Sequence, residues 1–221
     1  MAKIPQLFVY LTIYKGNHVI RTLLVLLSLF ISLQVFAANT QGQYIQPSNL
    51  SPKVRIETNM GNIIIELDRY RSKIAANNFL GYITRGQYDK TLIHRVEEGY
   101  LIQAGGFMTN YTEIESDEPI FNESGNGLTN SEGTIAMAKQ LNDAHSATSQ
   151  FFINLNDNTN LDPGSSWGYA VFGEVIEGYE VLEAIAQVEV GYSEQLGYTT
   201  VPKKMITIIR VVILDEEKAD E

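Results

Sequence analysis

Cysteine is missing from all 221 residues. No disulfide, thiol nucleophile or thiolate-held metal is therefore open to this chain, and an oxidising compartment is permitted without being required. Histidine is almost as scarce, with three copies. They are His18, His94 and His145; none belongs to an H-E-x-x-H pattern, so no metal site is expected. Bases are few as well: 16 Lys and Arg stand against 26 Asp and Glu, a net charge of −10. Nucleic acid is a poor partner for such a chain, because binding it depends on neutralising phosphates. The G-S-S-W-G at 164–168 closes a turn-rich loop and leads into a strand, not a helix, so the Ser clusters lack the context of a serine hydrolase; no G-K-[ST] follows the pair Gly105-Gly106, so that pair is not a phosphate loop. What is left is an acidic protein of ordinary globular composition, long enough for one domain with a full core.

The first 38 residues differ from the rest. They hold no acid and three bases, Lys3, Lys15 and Arg21, followed by an apolar run from Thr22 that ends in small residues at Ala37 and Ala38. A positive flank, a run of this length and a small-residue end describe a secretory signal over 1–38, with cleavage after Ala37 or Ala38. The alternative is an uncleaved anchor. A full span needs about 20 apolar residues, and Ser28, Ser32 and Gln34 interrupt this run. The expected product is a periplasmic or secreted protein, touching a membrane only if the segment stays attached. Residues 39–52 are polar and punctuated by Pro and Gly, which reads as a flexible leader. The domain is expected over 53–215, with an acidic tail at 216–221.

Along the domain, β-rich runs at 54–57 and 62–67 are joined by T-N-M-G, a hairpin signal. Residues 72–85 have helical spacing, with Ile74, Asn78, Phe79 and Tyr82 on an apolar face, Ser72 placed to cap the start and Gly86 to close the end. Further strands are expected at 92–96, 100–103, 134–138, 150–154, 169–175 and 204–214, and a second helix over 179–187 with Leu182, Ile185 and Ala186 inward. Two helices that do not alternate with the strands exclude a βαβ protein. A mainly β domain, closed as an antiparallel barrel and capped at its ends, suits the pattern.

The stretch 91–106, T-L-I-H-R-V-E-E-G-Y-L-I-Q-A-G-G, says most about function. By strand alternation Ile93 and Arg95 share one face, and Leu101 and Gln103 share another. An arginine and a glutamine aimed at apolar surface are costly unless something there uses their donors. In the run at 150–154, Gln150 and Phe152 share one face and Phe151 and Ile153 the other, so one face meets the core and the other is free for a groove.

The pattern I-H-R-V-x-x-G-Y-L-I-Q-A-G-G resembles the signature of the cyclophilins, a family of peptidyl-prolyl cis-trans isomerases. G-T-I-A-M-A-K at 133–139, H-S-A-T-S-Q-F-F-I-N at 145–154 and W-G-Y-A-V-F-G-E-V at 167–175 resemble it in the same order, the last in its bacterial form. The resemblance runs from about Val54 to Leu214. It implies an eight-stranded closed antiparallel barrel capped by two helices, proline-containing polypeptide substrates, no cofactor and no metal. It implies a catalytic role for Arg95, with Gln103 orienting the substrate and supporting the arginine. Tyr100, Leu101, Phe152 and Leu161 match the proline pocket, Ala138 and Lys139 the strand edge that pairs with an extended peptide, and Gln150 the neighbouring groove. Tyr169 stands where eukaryotic members have histidine, and Asn160 where relatives have an aromatic wall. His94 and His145 match structural positions, His94 on the strand face opposite the arginine. The expected activity is X-Pro isomerisation during folding of exported proteins, by a monomer; the alternative is a peptide-binding chaperone module with little catalysis. A scaffold or adhesin on the same fold is a third possibility that no residue favours.

Overall fold

Alternation builds the sheet. In the computed structural model, which describes residues 41–215, β1 (Lys53–Thr58) and β2 (Gly61–Leu67) bury every second residue: Val54, Ile56 and Thr58 in one, Ile63, Ile65 and Leu67 in the other. They form the expected hairpin, with Thr58 paired to Gly61 across a two-residue turn. The Thr58 hydroxyl fastens the turn, accepting from the Met60 N–H at 3.0 Å and donating to the Gly61 carbonyl at 2.7 Å. The signal expected at 1–38 and the tail at 216–221 lie outside the described residues.

The remaining strands are β3 (Thr91–Glu97), β4 (Leu101–Met108), β5 (Thr134–Met137), β6 (Phe151–Asn154), β7 (Val171–Glu177), the short pair β8 (Val190–Gly191) and β9 (Val201–Pro202), and β10 (Thr207–Ile213). Eight of them close in the order β1-β10-β3-β4-β6-β5-β7-β2, antiparallel at every seam. The expected closed eight-stranded barrel is thus present. The β8–β9 pair is an addition that two-residue strands, with no alternation to show, do not announce.

Helices α1 (Lys73–Thr84) and α2 (Tyr179–Ala186) are the expected two. Ser72 occupies the N-cap position of α1, but its hydroxyl does not cap; it donates to Glu123 at 3.2 Å. The Glu123 carboxylate, from a distant loop, accepts instead from Ile74 N–H at 3.0 Å and Ala75 N–H at 2.9 Å, satisfying donors that the first turn leaves open. Ile74, expected on the apolar face, is 41% exposed beside that cap. The helix ends in a Schellman pair closed at Gly86: the Gly86 N–H bonds to the Ile83 carbonyl and the Gln87 N–H to the Tyr82 carbonyl. In α2, Val181, Leu182 and Ile185 are buried, while Ala186 is only half-buried.

The core contains a cluster of aromatic rings. Phe79 from α1 meets Tyr88, Phe151 and Phe172 at centroid separations of 5.1–5.3 Å. The cluster also fixes backbone beside β6: the buried Tyr88 hydroxyl donates to the Ser149 carbonyl at 2.8 Å, and the Asn78 amide to the Thr148 carbonyl at 2.6 Å. Residues 41–52, read from composition as a flexible leader, fold onto the domain. The guanidinium of Arg69 donates to the carbonyls of Gly42, Ile45, Gln46 and Asn49 at 2.6–3.2 Å. Among the described residues no helix is long and apolar enough to cross a membrane.

Candidate functional site

The barrel has two apolar populations. Ile93, Val96, Ile102, Ala104, Phe151 and Ile153 belong to its interior core. Leu101, Ala136, Phe152, Leu161 and Val171 form a separate cluster, with Tyr100, Ala138 and Tyr169 packed against it. Alternation along β4 and β6 puts the second set on the outer face, as expected from Leu101 with Gln103 and from Gln150 with Phe152. There the strands pair Leu101 with Asn154 and Gln103 with Phe152.

On β3 alternation fails. The register shifts between Ile93 and Arg95, so that Ile93 pairs with Ala104, Arg95 with Gln103 and Val96 with Ile102. One inserted residue re-aims the side chains beyond it. Ile93 therefore does not share a face with Arg95: it stays in the core while Arg95 points outward. Nor is His94 opposite the arginine. It leaves the barrel interior too, buried between Phe107 (4.9 Å) and Tyr198 (5.0 Å).

The outer face opens into a cleft of about 450 Å³ lined by Arg95, Tyr100, Leu101, Gln103, Ala138, Lys139, Leu141, Phe152, Leu161, Tyr169 and Tyr198. Nine of the ten residues singled out by sequence are among them. The tenth, Gln150, lines an adjoining hollow of about 320 Å³ that shares Gln103, Ala138, Lys139 and Tyr198 with the cleft. Leu141 and Tyr198 were not anticipated. Leu141 is 86% exposed on an irregular loop. Tyr198 arrives from the loop before β9, held by a bond from the Val96 N–H to the Thr200 carbonyl at 2.9 Å. Neither position carries a periodic signal. Asn160 is exposed and lines neither space.

A polar chain crosses the apolar floor. Gln103 is 8% exposed; its Oε1 accepts from Arg95 Nη1 at 3.1 Å and its Nε2 donates to Gln150 Oε1 at 2.9 Å. Gly106 makes room for this, because a Cβ there would lie 2.7 Å from the Gln150 side chain. The other edge of the guanidinium is held by Glu97, whose Oε1 accepts from Nε at 3.0 Å and Nη2 at 2.7 Å. Arg95 is thus paired with the acid two residues along, on the same strand face. The pair is not sealed: its side chains keep 28% and 32% of their exposure, and the arginine still lines the cleft.

The walls are aromatic and aliphatic. Tyr169 packs edge-on against Phe152 at 5.5 Å, and Lys139 Nζ lies 4.6 Å above the Tyr169 ring, a cation–π contact. Burial pushes the Tyr169 and Tyr198 phenols up, and the Arg95 charge opposes the shift in both. At the strand edge the Ala138 N–H already donates to the Gln150 carbonyl at 2.9 Å and is not free for a peptide. His145 lies outside this cleft, accepting at Nδ1 from the Asn122 N–H at 3.1 Å and stacked on Phe121 at 4.7 Å. Among the described residues no three His, Asp or Glu side chains gather as a metal would need. The arrangement offers an apolar notch with a fixed cation and amide at its rim. It can hold a small ring and donate hydrogen bonds to a neighbouring amide.

Comparison with known proteins adds the family. Residues 53–213 match the family described as "Cyclophilin type peptidyl-prolyl cis-trans isomerase/CLD". The chain is 40% identical over 195 residues to peptidyl-prolyl cis-trans isomerase A of Dickeya dadantii, covering 87% of this chain and 95% of that one. It is 42% identical over 164 residues to peptidyl-prolyl cis-trans isomerase B of Escherichia coli, covering 72% and 98%. Among solved structures, a cyclophilin-type isomerase of Cryptosporidium parvum in the presence of the dipeptide Ala-Pro superposes with a TM-score of 0.62 at 25% identity, covering 74% and 99%.

Proposed function

The chain belongs to the cyclophilin-type peptidyl-prolyl cis-trans isomerases, and we propose that it serves the folding of exported proteins, with Arg95 as the catalytic residue. The reaction is rotation about the bond preceding proline, opposed by a barrier of about 18–20 kcal/mol from the double-bond character of C–N. No covalent bond is made or broken, so the residues must only hold the proline and favour the twisted amide. Twisting removes resonance from the proline nitrogen, which becomes a better hydrogen-bond acceptor. A guanidinium beside it then binds the twisted state more tightly than either planar one, and that difference is catalysis.

Phe152, Leu101 and Leu161 form the notch for the proline ring, with Tyr100 and Tyr169 as its sides. Gln103 orients the substrate backbone and holds Arg95. Ala138 and Lys139 give the strand edge along which the peptide extends, and Gln150 lines the neighbouring hollow. The observation that carries this reading is Arg95, held by Gln103, at the rim of the cleft floored by Phe152. Export is supported by the base-flanked apolar run at 1–38.

Two measurements test the proposal. In a protease-coupled assay with a proline peptide, residues 39–221 are expected to accelerate the cis-to-trans step, and an inactive protein overturns the catalytic reading. N-terminal mass analysis of the protein recovered from a periplasmic or culture fraction is expected to find Ala38 or Asn39 first. Recovery only from the cytoplasm overturns the export role.

A further inference from the structure

The ion pair between Arg95 and Glu97 is not required by the proposed chemistry, which asks only for a cation and an amide. We infer that Glu97 is a positioning residue: it fixes the Arg95 guanidinium by its Nε and Nη2 edge so that the Nη1 edge is presented to Gln103 and the cleft. This rests on the reading of Arg95 as the catalytic residue.

An arginine on an open strand face has four rotatable side-chain bonds, and few of its conformers leave the guanidinium beside Phe152. Here the planar group is gripped at two places. One Glu97 oxygen accepts from Nε and Nη2 at 3.0 and 2.7 Å, and Gln103 accepts from Nη1 at 3.1 Å. Gln103 is itself tied to Gln150. Of the five guanidinium N–H donors these bonds use three, and the two that remain sit one on each terminal nitrogen, where a substrate amide can meet them. The backbone supports the grip. The register shift lies before Arg95, and regular pairing from Arg95 through Glu97 puts both side chains on the outer face.

The same spacing occurs on β1, where Glu57 accepts from Arg55 Nε at 3.0 Å. There the carboxylate is shared with Arg210, and Arg55 lines no part of the cleft. An i, i+2 pair is therefore a contact that strands of this chain make readily. What sets the β3 pair apart is the second grip from Gln103 and the cleft beside it. Because the β3 pair is half-exposed, solvent screens much of its attraction. What the carboxylate supplies is geometry: a reacting group held near its productive pose loses less freedom as the transition state forms.

The test uses the full chain and its variants E97A, E97Q, E97D, R95A and R95A/E97A, with kcat and KM from the coupled assay. E97A is expected to lower kcat about tenfold with KM within about twofold, and E97D to regain part of the loss. In the R95A background, adding E97A is expected to change residual turnover less than about twofold, because a residue acting through Arg95 has nothing left to act on. The Arg95 Nε–H resonance is expected to exchange with water faster in E97A and E97Q than in the parent. E97A turning over as fast as the parent or faster overturns the inference, as does an equal loss in the parent and R95A backgrounds. If E97A fails to fold, E97Q carries the same comparison. If R95A matches the parent, the catalytic reading of Arg95 falls and this inference with it; if R95A is inactive and E97A normal, only this inference falls.

Discussion

Arg95 and Gln103 are cross-strand partners on β3 and β4, and Nη1 of the one donates to Oε1 of the other at 3.1 Å. The pairing exists because a register shift turns Arg95 out of the core. An arginine facing the barrel interior among Ile93, Val96 and Ile102 would be a buried charge at large cost. Facing outward, it meets an amide at a cleft rim and stays wet.

Arg95→Ala is expected to lower kcat/KM by about 10²–10³, the range for losing one donor aimed at a developing acceptor. Stability should change by no more than about 1 kcal/mol, since half-exposed ion pairs contribute little. The coupled assay and a urea unfolding curve check the two halves. Loss of fold together with activity would show that the arginine is structural.

Gln103→Leu keeps the volume and removes both amide bonds. A hydrogen bond to a charged group is worth about 1.5–3 kcal/mol, so a fall of about 10- to 100-fold in kcat/KM is expected if Gln103 holds the guanidinium in place. Gln150 is only partly buried and can turn to solvent, so the fold should persist. Unchanged turnover in Gln103→Leu would mean that Glu97 alone holds the arginine.

Much of this architecture is legible in local patterns. The hairpin at Thr58–Gly61, the outward set Leu101, Gln103 and Phe152, and the interior set Phe151 and Ile153 all follow from strand alternation. The failures share one cause, which is that their partners lie far along the chain. The register shift at Ile93 and Arg95 comes from pairing with β4, not from the run 91–97 itself. Ser72 looks like a cap, yet Glu123 does the capping from 51 residues away. Tyr198 reaches the cleft because the Thr200 carbonyl is tied to Val96. The polar composition of 39–52 conceals a partner, because the carbonyls that Arg69 binds belong to every residue type.

His94 makes stability pH-dependent. It is fully buried, and desolvation lowers its pKa to about 4; the Leu92 carbonyl and the Gln150 side chain oppose the shift from nearby, although among the described residues neither ring nitrogen has a partner in good hydrogen-bond geometry. An unfolded histidine titrates near about 6.5. Between those values the unfolded chain holds a proton that the folded one does not, so stability falls as pH drops from about 6.5 to 4 and the contribution levels off below. The full span corresponds to about 3 kcal/mol. His94→Phe is expected to flatten that part of a urea-midpoint-versus-pH curve, while carboxylates still set the slope at lower pH. An unchanged slope between pH 6.5 and 4.5 would mean that the imidazole is protonated in the native state.

Arg69 makes the N-terminal strap part of the domain. The residue is 4% exposed; its two terminal nitrogens are committed to the four strap carbonyls, and among the described residues it has no acidic partner and its buried Nε no hydrogen-bond partner. Burial lowers its pKa, the mark of a desolvated cation compensated by carbonyl dipoles alone. The strap in turn sits close on α1, since a Cβ at Gly42 would lie 1.8 Å from the Asn77 carbonyl oxygen. Arg69→Met keeps most of the stem and removes those bonds, and a loss of about 2–4 kcal/mol is expected from charged hydrogen bonds given up in a buried setting. Hydrogen exchange locates the effect: the Ile45 and Asn49 amides, bonded within the strap to the Gly42 and Gln46 carbonyls, should lose protection before the barrel does. A chain beginning at Lys53 should lose at least as much stability as Arg69→Met, because it also gives up the bonds from the Leu67 and Arg69 N–H groups to the Pro52 and Leu50 carbonyls. Turnover per folded molecule should hold in both, since no strap residue lines the cleft. If the truncated chain is as stable as the longer one, the strap is a passenger and the domain begins at β1.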